Sequence, residues 1–136
     1  MNRFLVDTSA YLAFMTGHTA VSEALGSADD LYFNPIVLGE IYRGFRETRP
    51  KTREDFDEFV SSSRVGFIEV DDQTSEHYAV IANFLQKKGT LVSANDIWIA
   101  ASAMQHGLAV LSLDRDFLRI PQILTICPEG PSSSLP

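Results

Sequence analysis

An aspartate directly follows the first apolar run of the chain, in the sequence Phe4-Leu-Val-Asp7. Phe and Val favour β-strands and the residues after Asp7 have a helical pattern, so we predict a strand that ends in a carboxylate. In open α/β sheets, ligands bind beyond the carboxyl ends of the strands, where this carboxylate would lie. An aspartate between a strand and a helix is also a common helix N-cap. The chemistry of Asp7 therefore depends on which other acids reach the same edge of the sheet.

Three more acids are predicted to reach that edge, although they come from distant parts of the chain. Asp114 follows a predicted strand, and Asp96 lies in the first turn of a predicted helix that enters from the same edge. Glu40 lies beside the apolar stripe of the helix that leaves a third strand. Asp116, two residues after Asp114, is a fifth candidate. Because the carboxyl ends of parallel strands share one edge, these acids could meet in one crevice.

Such a group of carboxylates needs charge compensation. Two unit charges about 4 Å apart repel by roughly 4 kcal/mol at an effective dielectric constant of about 20, so the acids require a cation or shared protons. A purely oxygen ligand set favours Mg²⁺ or Mn²⁺, whereas zinc prefers His or Cys. The histidines at 18, 77 and 106 lack the spacing of metal ligands, and we interpret them as structural. Hard cations held by carboxylates are typical of enzymes that act on phosphate esters.

Strands and helices alternate along the sequence, which predicts a parallel sheet with helices on both faces. Apolar runs bounded by turn residues predict strands at 4–6, 31–33, 66–70, 108–111 and 123–126. Asn34-Pro35 is a predicted helix start, and Gly89 and Gly107 are predicted helix ends. The predicted fold class is α/β, a three-layer α/β/α sandwich with a mainly parallel central sheet. Residues 1–127 are expected to form one domain, and residues 128–136 a flexible tail.

The composition is that of an ordinary globular domain, with 136 residues of which 45% are hydrophobic and 21% charged. The amino terminus has too short an apolar run for a signal peptide, and no uncharged run is long enough to span a membrane. The single cysteine, Cys127, excludes an internal disulfide and fits a reducing compartment. The location we predict is cytoplasmic.

The net charge of −7 argues at first sight against a nucleic-acid partner. That argument weakens if bound cations neutralise several of the acids. The basic residues are also unevenly distributed, since a short segment contains Arg43, Arg46, Arg49, Lys51 and Arg53. This segment is either a solvated helix face or a surface that contacts phosphates.

Four segments together resemble PIN-domain proteins, in particular the VapC-like toxins of bacterial toxin–antitoxin pairs. They are Leu5-Val-Asp7-Thr8-Ser9, Val37-Leu-Gly-Glu40-Ile-Tyr-Arg43-Gly44, Asn95-Asp96-Ile-Trp-Ile-Ala-Ala101 and Leu111-Ser-Leu-Asp114-Arg115-Asp116-Phe117. Their order and spacing carry the resemblance, which covers the chain up to Ile126. It implies a Mg²⁺- or Mn²⁺-dependent endoribonuclease, usually a homodimer, encoded beside a small antitoxin that occupies its active site.

The resemblance also implies roles for the acids. Asp7, Glu40, Asp96 and Asp114 form the acidic site, with Asp7 as the central metal ligand. Asp96 and Asp114 complete the metal site, and Glu40 binds a second metal or orients the attacking water. Asp116 matches a further acid of the family and is a possible additional ligand. The expected reaction is hydrolysis of an RNA phosphodiester bond by a metal-activated water.

Residues around these acids are expected to support them or to contact the substrate. Ser9 matches a hydroxyl that supports the first aspartate, although it could instead cap a helix, and Thr8 is a second supporting candidate. Arg43, Arg46 and Arg115 are candidate contacts to the RNA backbone. Arg43 is equally a candidate ion-pair partner of Glu40. The aromatic side chains of residues 11, 14 and 45 are expected to pack together or to receive side chains of the antitoxin.

Three alternatives remain. A PIN nuclease that processes RNA without a toxin role would share this site, and the neighbouring reading frame distinguishes the two, because a toxin is encoded beside a small DNA-binding protein. A non-catalytic PIN module that binds RNA or a partner has no need for mutually repelling carboxylates. A phosphatase with an aspartyl nucleophile requires a second aspartate two residues after the first, where this chain has Ser9.

Overall fold

The computed structural model of the chain describes residues 2–47 and 50–128. These residues form strands that alternate with α-helices and one short 3-10 helix. The elements are β1 Arg3–Val6, α1 Thr8–Met15, α2 Thr19–Ser27, β2 Asp30–Phe33, α3 Pro35–Phe45, α4 Pro50–Val60, β3 Val65–Phe67, α5 Asp72–Lys88, α6 Ala94–His106, β4 Ala109–Leu111, the 3-10 helix Arg115–Arg119 and β5 Thr125–Ile126. The predicted tail falls on residues 128–136, which lie outside the described residues except for Pro128, and its flexibility stays a prediction.

The five strands form one parallel sheet in the order β3-β2-β1-β4-β5. Right-handed crossovers, which parallel strands nearly always use, place α1 to α4 on one face and α5 and α6 on the other. The α/β prediction with a mainly parallel central sheet is therefore confirmed. The chain leaves β1 toward one edge of the sheet and returns to β4 on the other side of β1. This reversal is the topological switch point, where ligands bind in open α/β sheets.

The neighbouring strands β1 and β4 are buried except at Arg3, the first residue of β1. Leu5 and Val6 of β1 and Val110 and Leu111 of β4 have no exposed surface. Helix α6 packs on them through buried small residues, among them Ala100, Ala101 and Ala103. Small side chains allow a helix to lie close to a sheet, so the start of α6 is held firmly beside the ends of β1 and β4.

Strand β3 is shorter than predicted. It ends at Phe67, whereas the sequence predicted a strand over 66–70, and that prediction was wrong at its carboxyl end. The cause is the neighbouring strand, because β2 ends at Phe33 where Asn34 turns the chain into α3. After a last bond from the Ile68 N–H to the Phe33 carbonyl (3.0 Å), the chain beyond β3 has no strand beside it with which to continue the ladder.

An aromatic cluster fills the space between α1, α3 and α4. Tyr11 contacts Phe56 and Phe59 edge-on, with ring centroids 5.2 and 5.4 Å apart. Phe14 packs on Phe59 and Phe45 on Phe56, at 5.3 and 5.7 Å. The three predicted aromatic side chains thus belong to one cluster, in which Phe56 and Phe59 link them, and a contact with an antitoxin stays a prediction. Burial raises the pKa of Tyr11 to about 12, so this phenol stays neutral at physiological pH.

None of the helices in residues 2–47 and 50–128 has the length and apolar character that crossing a membrane requires. The cytoplasmic location stays a prediction.

A buried hydrogen bond between two side chains joins helices on the two faces of the sheet. Asn34, at the N-cap of α3, accepts a bond from the Val37 N–H (3.0 Å) through its side-chain oxygen. Its amide nitrogen donates to the Ser102 hydroxyl of α6 (2.9 Å). Asn34 and Ser102 are both fully buried. This bond ties α3, which carries Glu40, to α6, which carries Asp96.

Replacing Asn34 with Ala should destabilise the protein by about 2–3 kcal/mol, because the change removes a helix cap and leaves a buried hydroxyl unpaired. The free energy of unfolding in urea measures the loss. Asn83→Ala is the matched control, since Asn83 lies exposed on α5 and its replacement should leave stability unchanged or slightly raised. Equal effects of the two substitutions would contradict the role assigned to Asn34.

Candidate active site

Asp7 lies at the switch point, at the junction of β1 and α1. Its N–H donates to the Leu111 carbonyl of β4 (3.0 Å), and it occupies the N-cap position of α1. Its side chain makes no capping bond to that helix. The side chain is only 5% exposed, and a buried carboxylate is costly unless polar groups compensate it. The Asp7 carboxylate is therefore available for contacts other than helix capping.

Two serine hydroxyls donate to the same oxygen of Asp7. Ser9 Oγ lies 2.9 Å and Ser112 Oγ 2.7 Å from Asp7 Oδ2. The Ser9 hydroxyl accepts a bond from the Leu113 N–H (3.0 Å), and the Ser112 hydroxyl accepts one from the Asp114 N–H (2.9 Å). Each hydroxyl thus gives its proton to Asp7 while it fixes the loop that follows β4. Ser9 contacts Asp7, as the resemblance implied.

Ser112 is a residue that the sequence analysis missed. It directly follows the buried strand β4 and precedes Asp114 by two residues, within one of the segments that carry the resemblance, but it was given no role there. A hydroxyl at the end of a buried strand beside the strand of Asp7 was the available signal. Its full burial and its 2.7 Å bond to Asp7 make it part of the site.

Three other acids lie together at the same edge. Asp96, Asp114 and Asp116 each offer a carboxylate oxygen, and these oxygens all lie within 4.8 Å of one another. Asp96 lies in the first turn of α6, where its N–H donates to the Ser93 hydroxyl (3.2 Å). Asp114 caps the 3-10 helix, since its Oδ1 accepts from the Asp116 N–H (2.9 Å). The carboxylate spacing could hold one divalent cation.

The electrostatic state of Asp96 reflects this crowding. Burial, followed by the charges of Asp114 and Asp7, raises the pKa of Asp96 from 3.8 to about 7. A hydrogen bond with the Asp114 carboxyl raises it further, whereas the Ser93 hydroxyl lowers it. Asp96 therefore feels the charges of both Asp7 and Asp114, and its carboxyl keeps a proton to a higher pH than an ordinary aspartate does.

Glu40 approaches the site from α3 and lies apart from the group of three. Its Oε1 accepts a bond from the Thr8 hydroxyl (3.0 Å), and Thr8 is the residue after Asp7. Thr8 thus supports Glu40, whereas the sequence analysis had placed it only as a general supporting residue. The structure brings carboxylate oxygens of Asp96, Asp114 and Asp116 together. Asp7 is near enough for its charge to raise the pKa of Asp96. Glu40 is linked to the residue after Asp7 by the hydrogen bond from Thr8.

The arginines predicted to contact RNA are all exposed: Arg43, Arg46 and Arg115. Over residues 2–47 and 50–128, the structure shows no ion pair between Arg43 and Glu40, so that alternative is not supported. Within the predicted basic segment, Arg53 stacks over the Tyr42 ring at 4.6 Å and donates to Asp57 at 3.1 Å. Arg49 and the side chain of Lys51 lie outside the described residues.

Comparison with known families matches residues 4–123 to the PIN domain. Among curated proteins, ribonuclease VapC of Rickettsia bellii (strain RML369-C) is 30% identical over 124 residues, which are 88% of this chain and 91% of that protein.

Solved structures also resemble this chain. VapBC2 from Rickettsia felis, bound to a DNA fragment from its promoter, superposes with a TM-score of 0.81 at 19% identity, over 93% of this chain and 99% of that one. VapBC-5 from Mycobacterium tuberculosis, a member of the VapBC family of toxin–antitoxin systems, has a TM-score of 0.75 at 25% identity, over 94% of this chain and 100% of that one. The first likeness shows the fold alone.

The raised pKa of Asp96 predicts how stability depends on pH when divalent cations are absent. Between about pH 4 and pH 7 the folded state holds a proton on Asp96 that the unfolded state has lost, so the free energy of unfolding should fall as the pH rises through this window. Because the side chain is partly exposed, solvent screening limits the expected fall to about 1 kcal/mol.

Urea unfolding in a chelating buffer, repeated across this window, measures that slope. Asp96→Asn should flatten it, whereas Asp72→Asn, an exposed residue at the start of α5, should leave it unchanged. A slope in the Asp96→Asn protein equal to that of the wild type would show that Asp96 does not carry the raised pKa.

Proposed function

This chain belongs to the PIN domain family, among its VapC-like members, and from that membership and its acidic site we propose that it is a divalent-metal-dependent endoribonuclease. We further propose that it acts as the toxin of a toxin–antitoxin pair. The observation that carries the proposal is the meeting of Asp96, Asp114 and Asp116 beside Asp7 at the switch point of the sheet. A binding module without catalysis has no use for acids that repel one another in this way.

The residues at this edge fit a hard divalent cation. The converging donors are carboxylate oxygens, which Mg²⁺ and Mn²⁺ prefer, and neither His nor Cys belongs to the group. Burial, followed by the negative charges of Asp114 and Asp7, raises the pKa of Asp96, and a cation would relieve the part that comes from those charges. Mg²⁺ or Mn²⁺ is therefore the proposed cofactor. When bound, the cation supplies positive charge to the attacked phosphate and lowers the pKa of a coordinated water.

We assign Asp7, Asp96 and Asp114 to the metal, with Asp116 as an additional ligand. The serine hydroxyls that donate to one oxygen of Asp7 fix the orientation of its carboxylate. Groups that orient a metal ligand in this way also tune its basicity. Ser9 and Ser112 are therefore positioning residues for Asp7.

Glu40 is suited to handle the attacking water or a second cation. The bond from Thr8 holds one oxygen of Glu40, and its position on α3 sets it apart from the three clustered acids. A carboxylate near the reaction centre but outside the main group can accept a proton from a water as it attacks phosphorus. Thr8 then keeps Glu40 in place for that step.

The proposed partners are RNA as the substrate and a cognate antitoxin that blocks the active site. The likeness to a VapBC toxin–antitoxin structure supports the antitoxin. The homodimer that the family resemblance implies stays a prediction, because the structure describes one chain.

Asp7→Asn should abolish RNA cleavage. Mutations of groups that only orient a metal ligand cost about 10- to 100-fold in activity, so loss of the central ligand should cost at least about 100-fold. The measurement is the initial rate of cleavage of total RNA in Mg²⁺, with circular dichroism to show that the fold is kept.

Asp72→Asn is the control for Asp7→Asn, because it makes the same change of charge at an exposed position away from the site. It should cleave at the wild-type rate. An Asp7→Asn protein that also cleaves at that rate would disprove the site assignment.

Metal removal should stop the reaction. EDTA should reduce cleavage to the background seen with Asp7→Asn prepared in the same way, and added Mn²⁺ should restore it, since the proposed ligands are all carboxylates. Gel analysis of a defined RNA follows both steps. Persistent cleavage in EDTA by the wild type, but not by Asp7→Asn, would mean that the acids act without a cation.

A further inference from the structure

A cavity of about 650 Å³ lies beside the acidic site, between the end of α5 and the 3-10 helix. The side chains that line it include Phe84 and Lys88 of α5, Leu91 of the following loop, and Leu118 and Arg119 of the 3-10 helix. Its volume is within the range of about 300–1,000 Å³ that is usual for sites binding small organic groups. None of the roles assigned so far uses this cavity.

The charge around this cavity is opposite to that of the protein as a whole. The stretches 83–95 and 117–128, which supply its walls, contain Lys87, Lys88 and Arg119 and no Asp or Glu. The whole chain has a net charge of −7. A local positive surface next to a strongly acidic site is what a polyanionic substrate needs, because the acids would otherwise repel it.

Arg119 connects the cavity with the acidic site. Its Nη1 lies 3.9 Å from Asp116 Oδ1 and donates to the Leu91 carbonyl at 3.3 Å. The side chains of Arg119 and Asp116 are 56% and 48% exposed, so the ion pair is weak and the guanidinium remains accessible to another anion. A chain of phosphates that passes the acids can therefore reach Arg119 without a change of fold.

Apolar surface completes the cavity. Leu91 is 88% exposed and Leu118 47%, although both are large aliphatic side chains. Lys88 lies over the Phe84 ring, with its Nζ 5.8 Å from the ring centroid. Proteins that bind single-stranded nucleic acid combine cations for the backbone with apolar and aromatic surface for the bases. This combination distinguishes an RNA site from a simple phosphate site.

We propose that the cavity is an RNA-binding subsite for a nucleotide next to the scissile bond. Lys88 and Arg119 contact the backbone phosphates, and Leu91 and Leu118 contact a base. This inference rests on the proposed ribonuclease function and extends it to substrate binding. The combination of cationic side chains with exposed apolar ones favours RNA over a protein partner as the occupant.

The test uses the full chain with Asp7→Asn, so that RNA is bound but not cut. Fluorescence anisotropy of a labelled single-stranded RNA in Mg²⁺ gives the dissociation constant at several KCl concentrations. Lys88→Ala should weaken binding roughly three- to tenfold and reduce the salt slope by roughly 0.7, as expected for one lost phosphate contact on a single strand. Arg119→Gln should behave in the same way.

Lys87→Ala is the matched control, because Lys87 is the neighbouring exposed lysine of α5 and does not line the cavity. It should keep the affinity and slope of the parent. In proteins with Asp7 intact, Lys88→Ala should raise KM for the RNA and leave kcat unchanged, since the contact lies away from the reacting atoms.

Two results would overturn the subsite. One is an equal salt slope in the Lys88→Ala and Lys87→Ala proteins. The other is a change of mass by light scattering in the Lys88→Ala protein, which would make the cavity an interface between copies of the chain. If the wild type neither binds nor cleaves RNA in Mg²⁺ or Mn²⁺, the proposed function fails. Normal cleavage with no effect of Lys88→Ala instead rejects the subsite alone.

Discussion

Repulsion between carboxylates at one edge of the sheet is the constraint around which this structure is arranged. Asp7 is buried, and Asp96, Asp114 and Asp116 lie within a few ångströms of one another. The fold offsets this repulsion locally in three ways. Hydroxyls donate to Asp7, Asp96 lies in the positive first turn of α6, and the raised pKa of Asp96 lets that carboxyl keep a proton more readily. These three features lower the cost of holding the acids together when no cation is bound.

The order of the strands makes this arrangement possible. Asp7 and Ser112 are 105 residues apart in sequence and share a hydrogen bond, because β1 and β4 are neighbours at the switch point. Both strands are fully buried near their carboxyl ends, so the residues that follow them start from fixed positions. The groups assigned to the proposed site thus lie on short extensions of a fully buried part of the core, which is where a preorganised site is best placed.

Local sequence rules predict the placement of the acids better than the contacts between them. An aspartate at the end of a buried strand must lie at the edge of the sheet, so the positions of Asp7 and Asp114 follow from strand patterns alone. The bond between Thr8 and Glu40 and the role of Ser112 depend on side-chain directions across different elements, which no periodicity contains. The position of Lys88 near Arg119 could not be predicted from sequence either. The sequence shows only that Lys88 lies in the last turn of α5, where a cation interacts favourably with the negative end of the helix dipole.

The raised pKa of Asp96 has a consequence for how the proposed cation site would respond to its surroundings. A carboxyl with a pKa of about 7 must give up its proton before it can bind a cation as a full ligand. Hydrogen ions would therefore compete with the proposed divalent cation for the oxygens of Asp96. The affinity for that cation would rise with pH across the neutral range, and the heat of its binding would include the ionisation heat of whichever buffer takes up the released proton.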